Sequence, residues 1–212
     1  MHGLVLSGTD NADTLFGSVG ADSLSGLGGD DTLYGGPGVD HAIYTSARSA
    51  YVVSRTEAGL EISGTEGNDT LIGIERLKFG DTLLAFDIDG NAGQVYRLYR
   101  ATFDREPDIG GLSDWVRGMD AGMSLRSIAA GFVDSEEFRS RYPQAADSEA
   151  FLNLLYLNVL DRQPDSEGKA YWLDEMTRGM PREMVLAGFS ESPENQLAVI
   201  GLIQDGINLS LV

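Results

Sequence analysis

The stretch GTDNADTLFGSVGADSLSGLGGDDTLYGGPGVDHAI, from Gly8 to Ile43, decides the fold because it divides into four units of nine residues. The units begin at Gly8, Gly17, Gly26 and Gly35. Each unit has aspartate in its sixth place, and the eighth place is leucine in three units and alanine in the fourth. A fixed period of this kind indicates a repeat architecture in which each unit stacks on its neighbours.

The positions of the aspartates predict how the units stack. Polar and apolar residues alternate at the end of each unit, which is typical of a short strand with one buried side chain. Each unit then supplies a turn and a strand, and two units complete one coil. Equivalent aspartates of neighbouring coils are eighteen residues apart, so Asp13 should lie over Asp31, and Asp22 over Asp40. Carboxylates this close repel each other, and Ca²⁺ relieves the repulsion because it binds about 6–8 oxygen ligands.

The repeat resembles the G-G-x-G-x-D-x-U-x motif of RTX (repeat-in-toxin) proteins. The resemblance implies a short parallel β-roll in which each Ca²⁺ ion lies between the turns of neighbouring coils. Carried onto this sequence, it implies one ion held by Thr9, Asn11, Asp13, Gly26, Gly28 and Asp31. It implies a second ion held by Ser18, Gly20, Asp22, Gly35, Pro37 and Asp40. A Gly/Asp-rich flexible linker is the alternative, but a linker has no reason to keep aspartate and leucine in phase.

Three of these residues depart from the repeat consensus, since Thr9, Asn11 and Ser18 stand where the consensus has glycine. Asn11 is expected to adopt a turn conformation that is unusual for a residue with a side chain, although asparagine tolerates it best. The first of the two ion sites is therefore the one that the departures affect most.

A fifth unit, GTEGNDTLI, follows at Gly64–Ile72, with Asp69 in its sixth place. It is out of register with the first four units, and an inserted hairpin would restore the stack. Asp69 would then face Asp31 or Asp40 across a third ion, or it would only turn the chain. The next segment, IERLKF at Ile74–Phe79, resembles the segment that often ends RTX rolls, and it would close the open end of the roll.

The composition changes near FDIDGNAG, at Phe86–Gly93. Glycine becomes rarer beyond this point, and a period of about 3.6 residues replaces the alternation. We therefore expect an α+β protein made of two segregated parts. Residues 1–90 would form the β-roll with a β-cap, and residues 91–212 would form an all-α domain.

The second part contains an internal duplication. Tyr96–Val116 matches Asn153–Leu173 at a constant offset, which places Trp115 and Trp172 57 residues apart. Each copy should contain three or four short helices, with an aspartate after a proline, Asp108 or Asp165, as an N-cap. Gly122 and Gly179 should end the helices that these aspartates begin. The two copies are expected to pack on each other through Tyr99, Phe103, Trp115, Phe132 and Tyr156, Leu160, Trp172, Phe189.

The duplicated part resembles the helical domain of unknown function that often follows RTX rolls in secreted and surface-layer proteins of bacteria. Its R-x-P-D-x-x-G…W pattern is also similar to the repeats of phycobilisome linker polypeptides. The resemblance implies a fold and a context, but it implies no activity or ligand.

Charge and composition limit the partners. The formal net charge is −18, which argues against nucleic acid and anionic membrane surfaces. The chain has no cysteine, and no apolar run reaches the roughly 20 residues of a membrane span. No Sec-type signal peptide is visible at the N-terminus. The C-terminal DGINLSLV looks like the uncleaved type I secretion signal of RTX proteins, which implies export from a Gram-negative bacterium to the medium or the cell surface.

The sequence favours a binding or structural module over an enzyme. The chain has two histidines and no H-E-x-x-H motif, and nothing in the spacing selects a pair of carboxylates for glycoside hydrolysis. The leading hypothesis is a secreted module whose roll folds when it binds Ca²⁺. The first alternative is a module whose helical part binds a surface glycan or a surface-layer protein. The second alternative is an enzyme that uses paired carboxylates.

Overall fold

The computed structural model describes residues 3–142 and 147–211, and it places strands in the first part of the chain and helices in the second. The predicted α+β division is confirmed. The strands are β1 Val5–Ser7, β2 Thr14–Phe16, β3 Ser23–Ser25, β4 Thr32–Tyr34, β5 His41–Ile43, β6 Tyr51–Arg55, β7 Leu60–Gly64, β8 Gly67–Ile72, β9 Arg76–Lys78, β10 Leu83–Ala85 and β11 Ile207–Leu209. The helices are α1 Asn91–Phe103, α2 Ile109–Asp120, α3 Leu125–Val133, α4 Glu136–Arg141, α5 Ser148–Leu160, α6 Ser166–Thr177, α7 Arg182–Ser190 and α8 Pro193–Ile203.

Successive repeat units alternate between two sheets. One sheet has the order β1-β3-β5-β9-β10-β11, and the other has the order β2-β4-β8-β7-β6. The repeat strands pair in parallel, with Leu6 opposite Leu24 in the first sheet and Leu15 opposite Leu33 in the second. Side chains of equivalent units therefore stack in columns at the eighteen-residue offset that the sequence predicts.

The sheets as wholes are mixed, although the sequence predicts a parallel roll. Strands β6, β7 and β8 pair antiparallel, and so do β9, β10 and β11. The hairpin β6–β7 lies between the fourth and fifth repeat units, and β8 still pairs in parallel with β4. The chain thus returns to the stack after the insertion, because Leu71 takes its place opposite Leu33 in the buried column.

The eighth-place side chains form the core of the first part. Leu24, Leu33, Ala42 and Leu71 are at most 1% exposed, and Leu77 joins them from β9. Burying each leucine contributes about 1.5–3 kcal/mol. Three aromatic rings close the column beyond the repeats: Tyr44, Tyr51 and Phe79.

Contacts divide the chain into two units at positions that differ from the predicted domains. The first unit ends at Asp87 and also includes the residues from Gln204 onward, and the second unit is Ile88–Ile203. The sequence places the C-terminal tail in the helical domain, but β11 pairs with β10 and buries Ile207 and Leu209. Residues 1, 2 and 212, at the ends of the predicted domains, lie outside the described residues.

The helical unit repeats its own structure at the predicted offset. The helices α1, α2 and α3 each begin 57 residues before α5, α6 and α7. The predicted N-caps are confirmed, because Asp108 accepts a hydrogen bond from the N–H of Gly111 and Asp165 accepts one from Gly168, both at 2.7 Å. Among the described residues, no helix is long and apolar enough to cross a membrane.

Equivalent aromatic side chains of the duplication make the same ring contacts within each copy. Tyr99 meets Phe132 with ring centroids 4.9 Å apart, and Tyr156 meets Phe189 at the same distance. The sequence predicts that these residues join the two copies, but the rings that meet across the copies are other ones, because Phe138 and Tyr142 of the first copy contact Phe151 of the second. The copies contact each other through α3 and α7, where Arg126 pairs with Glu183 at 3.3 Å.

Candidate metal sites

Carboxylates in the sixth place of the repeats form a column on one edge of the stacked turns. The backbone N–H of Asp13 donates to Oδ1 of Asp31 at 2.8 Å, and the N–H of Asp31 donates to Oδ1 of Asp69 at 3.0 Å. We call Asp13, Asp31 and Asp69 the first ladder. The sequence leaves open whether Asp69 faces Asp31 or Asp40, and the structure places it next to Asp31. The hydroxyl of Tyr44 donates to the other carboxylate oxygen of Asp69 at 2.9 Å.

A second ladder runs along the opposite set of turns. The N–H of Asp22 donates to Oδ1 of Asp40 at 2.7 Å, and the N–H of Asp40 donates to Oε2 of Glu75 at 2.9 Å. We call Asp22, Asp40 and Glu75 the second ladder. The repeat spacing does not predict Glu75, because it lies six residues after Asp69 instead of nine. A signal was nevertheless present, since Glu75 precedes Leu77 by two residues, as each sixth-place aspartate precedes its eighth-place residue.

Two carboxylate oxygens of the ladders are buried and lack any hydrogen-bond partner among the described residues. They are Oδ2 of Asp31 and Oδ2 of Asp40, and their side chains are 2% and 0% exposed. A buried carboxylate oxygen without a partner is costly, because burial removes its water without replacing it. These two atoms therefore fit a cation as their missing partner.

Backbone carbonyls lie beside the first carboxylate of each ladder. A methyl group built on Gly8 would lie 2.6 Å from the carbonyl oxygen of Gly26 and 2.8 Å from Oδ2 of Asp13. A methyl group built on Gly17 would fall against the carbonyl oxygen of Gly35 and 2.6 Å from Oδ2 of Asp22. Gly8 and Gly17 thus each lie close to a carbonyl and a carboxylate, which are the oxygen types that Ca²⁺ prefers.

The remaining predicted ligands lie in the same turns. The carbonyls of Thr9 and Pro37 accept hydrogen bonds from the N–H groups of Gly28 and Gly20, at 3.1 and 2.9 Å. A carbonyl oxygen has a second lone pair, so these groups keep a free acceptor site. Among the described residues, no three His, Cys, Asp or Glu side chains gather in a metal-binding arrangement. A cation in these turns would therefore take much of its shell from the backbone.

Asn11 and Ser18 are the other two predicted ligands that depart from the repeat consensus. Asn11 is not among the described residues with positive φ, so the predicted unusual conformation at this position is wrong. The positive φ falls instead on Leu27, at 72°, in the second place of the third unit. Ser18, in the second place of its own unit, donates its backbone N–H to Oδ2 of Asp22.

The backbone conformation of the second residue in each repeat unit decides which sixth-place aspartates keep an oxygen without a hydrogen bond. In the first two units, the second-place N–H of Thr9 or Ser18 donates to Oδ2 of the sixth-place aspartate. In the next two units, the second-place residues Leu27 and Gly36 have φ of 72° and 97°. The aspartates of those two units carry the two unpartnered oxygens. A left-handed conformation at leucine costs about 1–2 kcal/mol, so this turn needs a compensating interaction.

Burial and neighbouring charges shift the pKa of several ladder carboxylates. Burial raises the pKa of Asp40, and the charge of Asp22 adds to the effect. Burial also raises the pKa of Asp69, with the charge of Asp31 as a further cause, and it raises the pKa of Glu75 together with the charge of Asp40. The pKa of Asp22 is lowered instead, because the N–H groups of Ser18 and Leu4 donate to it. Asp40, Asp69 and Glu75 therefore favour a bound positive charge, either a proton or a cation.

Comparison with known families agrees with this geometry. The RTX calcium-binding nonapeptide repeat, in four copies, matches residues 7–42 and 61–73, so this part of the chain carries repeats of a kind typical of secreted proteins. The family described as domain of unknown function (DUF4214) matches residues 90–142 and 129–199, just over half of the chain. The chain belongs to this family. No curated protein matches the chain significantly.

Proposed function

We propose that the first unit is an RTX-type β-roll that binds Ca²⁺ between neighbouring turns and completes its folding by doing so. The observation that carries the proposal is the pair of buried, unpartnered oxygens on Asp31 and Asp40. Asp13 with the carbonyl of Gly26, and Asp22 with the carbonyl of Gly35, would hold the two ions that the repeat pattern predicts. Asp31 and Asp69 would hold the third.

The stability of the roll would depend on the metal for electrostatic reasons. Each ladder brings three carboxylates into successive turns, and their mutual repulsion and burial oppose folding. Bound Ca²⁺ supplies the positive charge and accepts the carbonyl and carboxylate oxygens as ligands. Since the turns do not exist in the unfolded chain, the free energy of binding becomes free energy of folding. Extracellular modules of this kind bind with dissociation constants of about 10⁻⁴–10⁻³ M.

The proposal places the protein outside the cell. An RTX repeat that stays unfolded in low calcium would pass through a type I channel of a Gram-negative bacterium and fold in the medium or at the cell surface. The C-terminal tail, which the sequence predicts to be the secretion signal, forms β11 in the folded first unit. It would be exposed to an export apparatus only while that unit is unfolded.

The role proposed for the chain is not enzymatic. The carboxylates that come together in the first unit do so in the ladders, where backbone N–H groups hold one oxygen of most of them. Binding of a surface glycan or a surface-layer protein by the helical unit has less support. Tyr171 is the one aromatic side chain of the described part of that unit that is largely exposed, and a single ring does not make a binding platform.

A calcium titration followed by circular dichroism tests the proposal. Starting in chelator, added Ca²⁺ should produce a cooperative gain of strand signal, whereas Mg²⁺ at the same concentration should produce little. Both tryptophans, Trp115 and Trp172, lie in the helical unit, so their fluorescence reports on that unit separately. A strand signal that is the same in chelator and in millimolar Ca²⁺ would contradict the proposal.

A further inference from the structure

The second ladder ends on a residue that no repeat unit encodes. Glu75 lies outside both ranges that the RTX repeat matches. We propose that Asp40, Glu75 and the carbonyl of Gly73 form an additional calcium site at the end of the second ladder. This inference rests on the proposed function, because it assumes that the ladders bind Ca²⁺.

A shortened unit carries Glu75 into the ladder. The segment from Gly73 to Lys78 occupies the position of a sixth repeat unit but lacks three of its nine residues. Its strand is nevertheless in register, because Leu77 lies opposite Ala42 in the parallel pair β5–β9. The missing residues come from the turn, which is therefore shorter than in the other units. Glutamate has one more methylene than aspartate, so its carboxylate reaches further from the backbone. Oε2 of Glu75 accordingly accepts the N–H of Asp40 at 2.9 Å, close to the 2.7 Å between Asp22 and Asp40.

The oxygen atoms around Gly35 repeat the arrangement of the predicted sites. A methyl group built on Gly35 would fall against the carbonyl oxygen of Gly73 and 2.7 Å from Oδ2 of Asp40. The same construction on Gly17 meets the carbonyl of Gly35 and a carboxylate oxygen of Asp22. The carbonyl and carboxylate oxygens therefore converge at the end of the ladder as they do one coil earlier.

Asp40 supplies the independent sign of a missing ligand. Asp40 is 0% exposed, and its Oδ2, which lies beside Gly35 as the Gly73 carbonyl does, has no hydrogen-bond partner among the described residues. Asp40 is also the middle member of the second ladder. One carboxylate can bridge two cations, so Asp40 would serve the site it shares with Asp22 and the site it shares with Glu75.

The surroundings of Glu75 suit a partly hydrated ion. Asp87 pairs with the buried guanidinium of Arg76, so Asp40 and Glu75 supply the net negative charge of the site. A cavity of about 350 Å³ borders Gly73 and Glu75. It offers room beside Glu75 for water molecules, which would complete a shell of about 6–8 oxygens where the shortened turn supplies fewer carbonyls.

Calcium stoichiometry of the full chain tests the inference. The measurement is bound Ca²⁺ per chain after equilibrium dialysis, by elemental analysis, for the natural protein and for Glu75→Gln, which keeps the shape of the side chain. The variant should bind one ion fewer and keep the others. Glu61→Gln, at an exposed position in β7, is the matched control and should bind as many ions as the natural protein. An unchanged count in Glu75→Gln would overturn the inference.

A second pair of variants decides the matter if Glu75→Gln folds poorly. Asp40→Asn should lose two ions, because Asp40 belongs to two sites, whereas Asp22→Asn should lose one. Equal losses in the two variants would overturn the inference while leaving the proposed function in place. A natural protein that binds no Ca²⁺ at all would instead overturn the proposed function itself, so the two failures are distinguishable.

Discussion

The backbone N–H of Asp31 donates to Oδ1 of Asp69, 38 residues further along the chain, at 3.0 Å. The hydrogen bond repeats the one between Asp13 and Asp31, which are only 18 residues apart. The chain between the fourth and fifth repeat units leaves the stack as the hairpin β6–β7 and then rejoins it in register. The ladder of carboxylates thus tolerates an insertion, because the strands on both sides of it bury their leucines in one column.

Replacing Asp31 by asparagine should have opposite effects with and without calcium. In chelator, Asp31→Asn removes a buried charge with an unpartnered oxygen, so the first unit should unfold at the same or a higher urea concentration. In millimolar Ca²⁺, the variant loses a ligand of two proposed ions and should be destabilised by about 1–3 kcal/mol or more. Urea unfolding followed by the strand signal measures both effects.

The control for this variant is Asp10→Asn, which changes an exposed aspartate of the same repeats outside the sixth place. Its unfolding should be nearly unchanged in both conditions. If Asp31→Asn is destabilised equally in chelator and in Ca²⁺, its carboxylate acts only through hydrogen bonds, and the role as a calcium ligand is wrong.

The stability of the calcium-free first unit should rise as the solution is acidified from neutral pH. The folded state raises the pKa of Asp40, Asp69 and Glu75. Groups of this kind contribute stability that is fully present below their unfolded pKa, about 4, and that is lost as the pH rises through the folded pKa. Asp22, with its lowered pKa, opposes the trend.

Urea midpoints in chelator between pH 4.5 and pH 7 check the sign of this dependence. In millimolar Ca²⁺ the trend should reverse, because protons then compete with the metal for the same carboxylates. If the urea midpoint in chelator falls steadily on acidification, folding does not raise the pKa of the buried carboxylates, and the prediction is wrong.

Adding a methyl group at the first place of a repeat should block calcium binding. Gly17→Ala puts a Cβ against the carbonyl of Gly35 and 2.6 Å from Oδ2 of Asp22, so the turn must shift. Calcium affinity should fall at least tenfold, as measured by isothermal titration calorimetry. Gly201→Ala is the control: it lies in α8 with no atom within 4 Å of the added carbon, and it should stabilise the protein by about 0.5–1 kcal/mol.

The sequence predicts the periodic features of this fold but not the features that depend on contacts between turns or between distant strands. Eighteen-residue stacking and the offset of the helical copies follow from periods that survive in the folded structure. The sequence does not predict that Glu75 joins the second ladder, or that the second-place conformation changes between the second and third units. Both features depend on how a turn packs against its neighbour. Composition alone predicts that the tail belongs to the helical domain, whereas long-range pairing of β11 with β10 decides its place.

The duplicated N-caps should contribute equally to the helical unit. Asp108→Ala and Asp165→Ala each remove a hydrogen bond of 2.7 Å to the first turn of a helix, and each should cost about 1 kcal/mol. Thermal unfolding followed by tryptophan fluorescence reports the loss, and the double variant should show the sum. Asp114→Ala, at an exposed position within α2, should cost little and serves as the control.

The strand β11 should stabilise the first unit, although it follows the helical unit in sequence. Ile207 is 3% exposed and lies opposite Ala85 of β10, so Ile207→Ala should cost about 2–5 kcal/mol of the unfolding free energy of the first unit. The more exposed Leu211 provides the comparison, and Leu211→Ala should cost well under 1 kcal/mol. Urea unfolding in saturating Ca²⁺, followed by the strand signal, measures both variants. Equal, small losses would mean that the tail only rests on the sheet edge, and that it would be accessible in the folded protein.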